Sequence, residues 1–198
     1  NQNAEPESLW FISAVRWCEG ALGVAALSLD WVQMDALRGL AQEVPSRWGL
    51  RRKIDMTPYG PPDSHAQPAP DWAVAQWFNT DHALALAALR GKVVLLHAFQ
   101  MLCPACVLLA TPQAQQVHEQ LAGKQLAVIG LHTVFEHHEA MQPVSLEAYI
   151  FENRLRFPIG VDQPDGHGGL PLTMRRYGMQ GTPSLILIDR QGRMRQHS

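Results

Sequence analysis

The stretch Lys92-Val93-Val94-Leu95-Leu96-His97-Ala98-Phe99-Gln100-Met101-Leu102-Cys103-Pro104-Ala105-Cys106 decides how the rest of the chain is read. From Lys92 to Phe99 the apolar run is nearly unbroken, the pattern of a strand buried on both faces of a parallel sheet. The second half sets two cysteines one helical turn apart. Pro104 between them suits the first turn of a helix, where no backbone N–H is needed. The segment therefore reads as a strand running into a helix, with Cys103 at the helix N-terminus.

That position has a chemical consequence. Unpaired N–H groups and the helix dipole favour an anion, so the Cys103 thiol is expected to ionise more readily than a free one. Cys106, one turn on, lies within reach to close a disulfide once Cys103 has attacked. Cys103 is thus the expected nucleophile and Cys106 the resolving thiol. Two other readings compete. A C-x-x-C pair can be half of a zinc site, with His132, His137 and His138 as the available nitrogen donors, or it can be an inert buried pair. The strand-to-helix context favours redox use. The third cysteine, Cys18, reads as a lone residue on an apolar face.

Working outward, strands alternate with helices, which implies an α/β layered sheet. Asp81 to Arg90 reads as an Ala- and Leu-rich helix and Cys103 to Leu121 as the helix carrying the cysteines. Leu126 to Val134 reads as a second buried strand. Ser145 to Arg156 reads as a helix capped by Ser145, Phe157 to Val161 as a short extended segment, and Thr173 to Tyr177 as a helical turn. Ser184 to Asp189 reads as a strand, turning at Gln191-Gly192 into Arg193 to His197.

Upstream, residues 1–55 read as a helical N-terminal extension, with helices over Glu7 to Leu27 and from Asp30 to Pro45. Residues 56–70 read as a Pro-rich linker and 71–198 as the main domain. All six Trp lie before residue 80. In the 198-residue chain 46% of residues are apolar, enough for a sizeable core, and the net charge of −2 argues against a nucleic-acid partner. The most apolar window, Leu9 to Val32, is interrupted by Arg16, Glu19 and Asp30, which argues against a membrane span. A membrane tether stays open, and bacterial periplasm and cytoplasm both suit the cysteine usage.

Taken together, the run Lys92 to Phe99, the motif Cys103-Pro104-Ala105-Cys106 and the later Gly181-Thr182-Pro183-Ser184 resemble the thioredoxin-like superfamily. Within it they are most similar to TlpA-like thiol–disulfide reductases and the redoxin (AhpC/TSA) group. The resemblance covers roughly Asp71 to Ser198. It implies a thioredoxin-like fold, a central mixed sheet flanked by helices, and a thiol–disulfide oxidoreductase acting on protein disulfides or dithiols with a thiol electron donor or acceptor. It implies no cofactor. It further implies a cis peptide at Pro183, with Thr182 offering backbone groups to an extended substrate peptide. Pro112 resembles the proline that kinks the family's active-site helix. Phe157-Pro158-Ile159-Gly160-Val161-Asp162 and Asp189-Arg190-Gln191-Gly192 resemble further family segments, and Val134 to Asp162 matches the insertion of TlpA-like proteins.

The departures from the family pattern carry information too. Leu102 replaces the usual aromatic residue before the first cysteine, with Gln100 and Met101 ahead of it, which alters the surface that partners meet. His97 stands where many relatives carry a buried Asp or Asn. It reads either as a proton relay for Cys106 or as an ordinary strand histidine. The family's closing helix is missing before Ser198. Two alternative functions belong to the same fold: a peroxide reductase and a copper-binding metallochaperone. The first lacks the expected P-x-x-x-[S/T]-x-x-C pattern before Cys103; the second would recruit His132, His137 or His138.

Overall fold

A computed structural model describes residues 67–121, 123 and 126–197. The expected N-terminal extension, most of the linker and Cys18 lie outside the described residues. Six strands form one sheet: β1 (Val74–Phe78), β2 (Val93–Phe99), β3 (Leu126–His132), β4 (Ile159–Asp162), β5 (Ser184–Ile188) and β6 (Met194–His197), in the order β1-β4-β3-β2-β5-β6. β2, β3 and β4 run parallel, while β1, β5 and β6 are antiparallel to their neighbours. The long apolar runs form the centre because both their faces are covered. Every residue of β2 is buried.

Alternation along β2 divides the core in two. Val93, Leu95 and Phe99 face helices α1 (Thr111–Leu121) and α2 (Pro143–Glu152), where Ala114, Val117, Leu121, Leu146 and Ile150 pack on them. Val94, Leu96 and Ala98 face the other way, toward Trp72, Leu86 and helix α3 (Leu172–Tyr177) with Met174 and Tyr177. Thioredoxin-like architecture is thus present, with helices on both faces of a mixed sheet.

Several local expectations need correction. The helix expected over Asp81 to Arg90 shrinks to a single 3-10 turn, Leu86–Leu89. Leu86 and Leu84 instead pack on the sheet beside Trp72, whose indole Nε1 donates to the Leu84 carbonyl at 2.7 Å. Helix α2 starts at Pro143 after Gln142, so Ser145 is inside it and caps nothing; a proline already suits that first turn. Val74–Phe78, not anticipated as a strand, pairs antiparallel with β4 at the sheet edge. The end of the Pro-rich stretch also joins the fold. Pro68 bridges to Arg193, Ala69 N–H donates to the Gly192 carbonyl at 2.9 Å, and the Tyr177 hydroxyl donates to the Pro70 carbonyl at 2.6 Å.

The helix of the cysteines is continuous but not uniform. Cys106–Ala110 forms a π turn before α1, and the Thr111 N–H reaches back to the Cys106 carbonyl. Pro112 follows immediately. It has no N–H to offer the preceding turn, and its ring crowds the carbonyl one turn back, so the chain widens there. The expectation that Pro112 disturbs this helix takes that physical form. At the far end of β4, Asp162 accepts from the backbone N–H groups of Thr173 and Met174, at 2.8 and 2.9 Å, and from the Thr133 hydroxyl at 3.0 Å. The carboxylate thereby fastens the start of α3 to the sheet.

Candidate active site

The site lies where β2 ends. Phe99 is the last strand residue, and Gln100 turns the chain by accepting a hydrogen bond from the Cys103 N–H at 3.1 Å. That turn delivers Cys103 to the start of the helix, half exposed, with Cys106 fully buried behind it. Both are free thiols. The Cys106 N–H donates to Cys103 Sγ at 3.3 Å, and the Cys103 thiol lies 3.5 Å from the Thr182 carbonyl. The Thr182–Pro183 peptide is cis. Four of the expected site residues, Cys103, Cys106, Thr182 and Pro183, therefore meet at one point although they come from opposite ends of the domain.

Their electrostatics differ sharply. Hydrogen bonding from the Cys106 thiol, helped by N–H groups of Cys106 and Ala105 and by Thr182, outweighs burial and draws the Cys103 thiol down to about 6. Burial pushes the Cys106 thiol far up, and the neighbouring Cys103 pushes it further. One sulfur is thus poised as a thiolate near neutral pH while the other holds its proton.

His97 sits one layer beneath, fully buried in β2. Its Nε2 is 3.1 Å from the Thr111 hydroxyl, its ring stacks on Phe99 with centroids 5.3 Å apart, and burial lowers its pKa to about 3. Tyr149 of α2 packs near the same Phe99 ring, with centroids 6.2 Å apart. Neither Thr111 nor Tyr149 was singled out from the sequence. The signal for Thr111 is its place just after the π turn, which periodicity does not display.

Gln100 stands at the centre of the site. Its side chain is buried and reaches three neighbours: Nε2 is 3.4 Å from both Glu136 Oε1 and Thr182 Oγ1, and Oε1 accepts from the Phe135 N–H at 3.4 Å. The histidines considered as metal donors are separated. His132 is buried at the end of β3 beside Phe99, whereas His137 and His138 are exposed on the loop that follows. Among the described residues no group of three or more His, Cys, Asp or Glu side chains is placed to hold a metal ion. Nor is any helix among them long and apolar enough to cross a membrane.

Comparison with known proteins places this geometry. The model of the AhpC/TSA family matches residues 66–197. A crystallised thioredoxin-like superfamily protein is 55% identical, with 67% of this chain and 86% of that chain covered and a TM-score of 0.65. A thiol-disulfide isomerase from Corynebacterium glutamicum is 47% identical, covering 66% of this chain and 84% of that one, with a TM-score of 0.63. A thioredoxin-like protein solved in solution in its oxidised form is 21% identical, covering 67% and 84%, with a TM-score of 0.57, and shares the fold. No curated protein matches the chain.

Proposed function

The chain belongs to the AhpC/TSA family and is an oxidoreductase of thioredoxin-like fold, and from that premise we propose that it exchanges disulfides with protein substrates through Cys103 and Cys106. The observation that carries this reading is the convergence of the Cys106 N–H and the Thr182 carbonyl on the Cys103 sulfur. An amide proton stabilises the thiolate, and a neighbouring carbonyl marks the backbone edge along which an extended peptide would pair.

In the reducing direction Cys103 thiolate attacks one sulfur of a substrate disulfide. A Cys103–substrate disulfide forms, the substrate S–S bond breaks, and its other sulfur leaves with the electron pair as a thiolate. Cys106 sulfur then attacks Cys103, joining the two cysteines and releasing the second substrate sulfur, which takes up the proton that Cys106 gives up. The reverse sequence oxidises a substrate dithiol. A thiol donor or acceptor resets the pair, and no cofactor enters.

His97 is read as the relay for that Cys106 proton, through its contact with Thr111. Burial disfavours charge on both partners, raising Cys106 and lowering His97. The proton therefore moves together with the sulfur attack and not ahead of it. Peroxide reduction has no comparable support in the residues preceding Cys103.

The test is covalent trapping. Cys103→Ser should abolish exchange with a disulfide-bonded protein substrate, and Cys106→Ser should accumulate a mixed disulfide at Cys103, visible by mass spectrometry without reductant. Wild-type activity in both variants would remove the reading.

A further inference from the structure

We propose that Gln100 is a positioning residue that holds the Glu136 carboxylate beside the Thr182 edge, so that the site favours substrates with a cationic side chain next to the cysteine being exchanged. The proposal deepens the exchange reading and rests on it. Its starting point is the Gln100 amide, whose nitrogen and oxygen are both engaged. One N–H faces Glu136, the other faces Thr182, and the carbonyl oxygen receives the Phe135 N–H, each at 3.4 Å. These bonds are at the long end of the range, yet the set fixes which way the amide faces: a flipped amide would point its NH2 at another N–H.

Gln100 is 1% exposed, so water does not replace these partners. Glu136, by contrast, is exposed. The buried amide thus ties a solvent-facing carboxylate to the same Thr182 whose carbonyl lies 3.5 Å from the Cys103 sulfur. A peptide laid along Thr182 passes within one amide's span of that charge. Across roughly 6–8 Å at a protein surface, Coulomb attraction amounts to about a three- to tenfold preference for a cation over a neutral group, weakened by salt. Leu102, 54% exposed, adds only apolar contact and no opposing charge.

The experiment is a single-turnover oxidation of the reduced protein by short peptides with one internal disulfide, identical except for Lys, Gln or Glu beside one cysteine. At pH 8 and low ionic strength the second-order rate constants should fall in the order Lys, Gln, Glu, with Lys exceeding Gln about three- to tenfold. The gap should shrink in 0.5 M salt. Glu136→Gln should bring the three rates within about twofold of one another, as neutralising one charge requires. Gln100→Met keeps the volume but removes the amide, and it should lose most of the discrimination. If wild type oxidises with all three peptides at equal rates, the proposal is overturned while exchange stands. If Glu136→Gln keeps the full ratio, the carboxylate is not the source and the proposal is likewise overturned. If Gln100→Met keeps it, Gln100 positions nothing. Reaction with none of the peptides would overturn exchange itself and this inference with it.

Discussion

The backbone N–H of Cys106 points at the sulfur of Cys103 from 3.3 Å. Two residues of one motif are thereby given unequal tasks by a single helical turn. The first sulfur is hydrogen-bonded as an anion, and the second is desolvated as a neutral thiol.

Alkylation should show that inequality directly. With its pKa drawn to about 6, Cys103 reacts as thiolate, so its rate with iodoacetamide should climb about tenfold per pH unit below that value and level off above it. Cys106, pushed far up by burial, should stay unmodified over the same range. Peptide mapping of the quenched protein reads both rates. A Cys103 midpoint above 8 would contradict the geometry.

Replacing His97 with Asn should separate the two steps of exchange. The first attack depends on Cys103 and should change little. Resolution by Cys106 should slow, leaving more mixed disulfide at early times in rapid-quench mass spectrometry. Equal resolution rates would leave His97 a structural role, packed on Phe99 and held to Thr111.

Acid should destabilise the fold through its buried imidazoles. Burial lowers His97 to about 3 and His132 to about 4 from an ordinary 6.5, and neither ring nitrogen of His132 has a hydrogen-bond partner among the described residues. As pH falls below 6.5 the unfolded chain binds protons at these rings that the folded chain refuses. Stability contributed by each neutral ring is therefore full above 6.5 and lost on the way down, by about 1.4 kcal/mol per pH unit per ring. Both contribute down to about pH 4, and His97 alone from there to about 3. Urea unfolding at pH 4.5 and 6.5 should give a shallower pH dependence for His132→Gln than for wild type. An identical dependence would refute the assignment.

Gly130→Ala tests the sheet centre. A Cβ there would meet Phe157 Cε2 at 2.7 Å and Ile159 Cγ1 at 2.9 Å, and both side chains are fully buried. Overpacking of this kind costs about 1–3 kcal/mol. Denaturation should show a lower midpoint with the cysteine reactivity retained.

The central strands were readable because burial on both faces leaves an unbroken apolar record, as in Val93 to Leu96 and Leu126 to Leu131. The cysteine pair was readable because strand, turn and helix are contiguous in sequence. Edge strand β1 was not: Ala75 and Gln76 face solvent, and its pairing with β4 is a contact between distant segments. The expected helix before Gly91 misled through its Ala and Leu content, because Leu84 and Leu86 pack against Trp72 in place of forming helical turns. Gln100 and Tyr149 gain their meaning only from neighbours supplied by the fold, Thr182 and Glu136 for one and Phe99 for the other.

The widened turn at Cys106–Ala110 divides its helix into two phases. The buried pair Ala105 and Cys106 recurs as Ala110 and Thr111, and beyond that seam Ala114, Val117 and Leu121 keep an ordinary rhythm. The extra residue therefore sets the phase of the redox end apart from that of the end that packs on the sheet. A one-residue deletion inside the seam would relax the backbone into a regular helix and, in the same stroke, swing the cysteines out of alignment with Thr182.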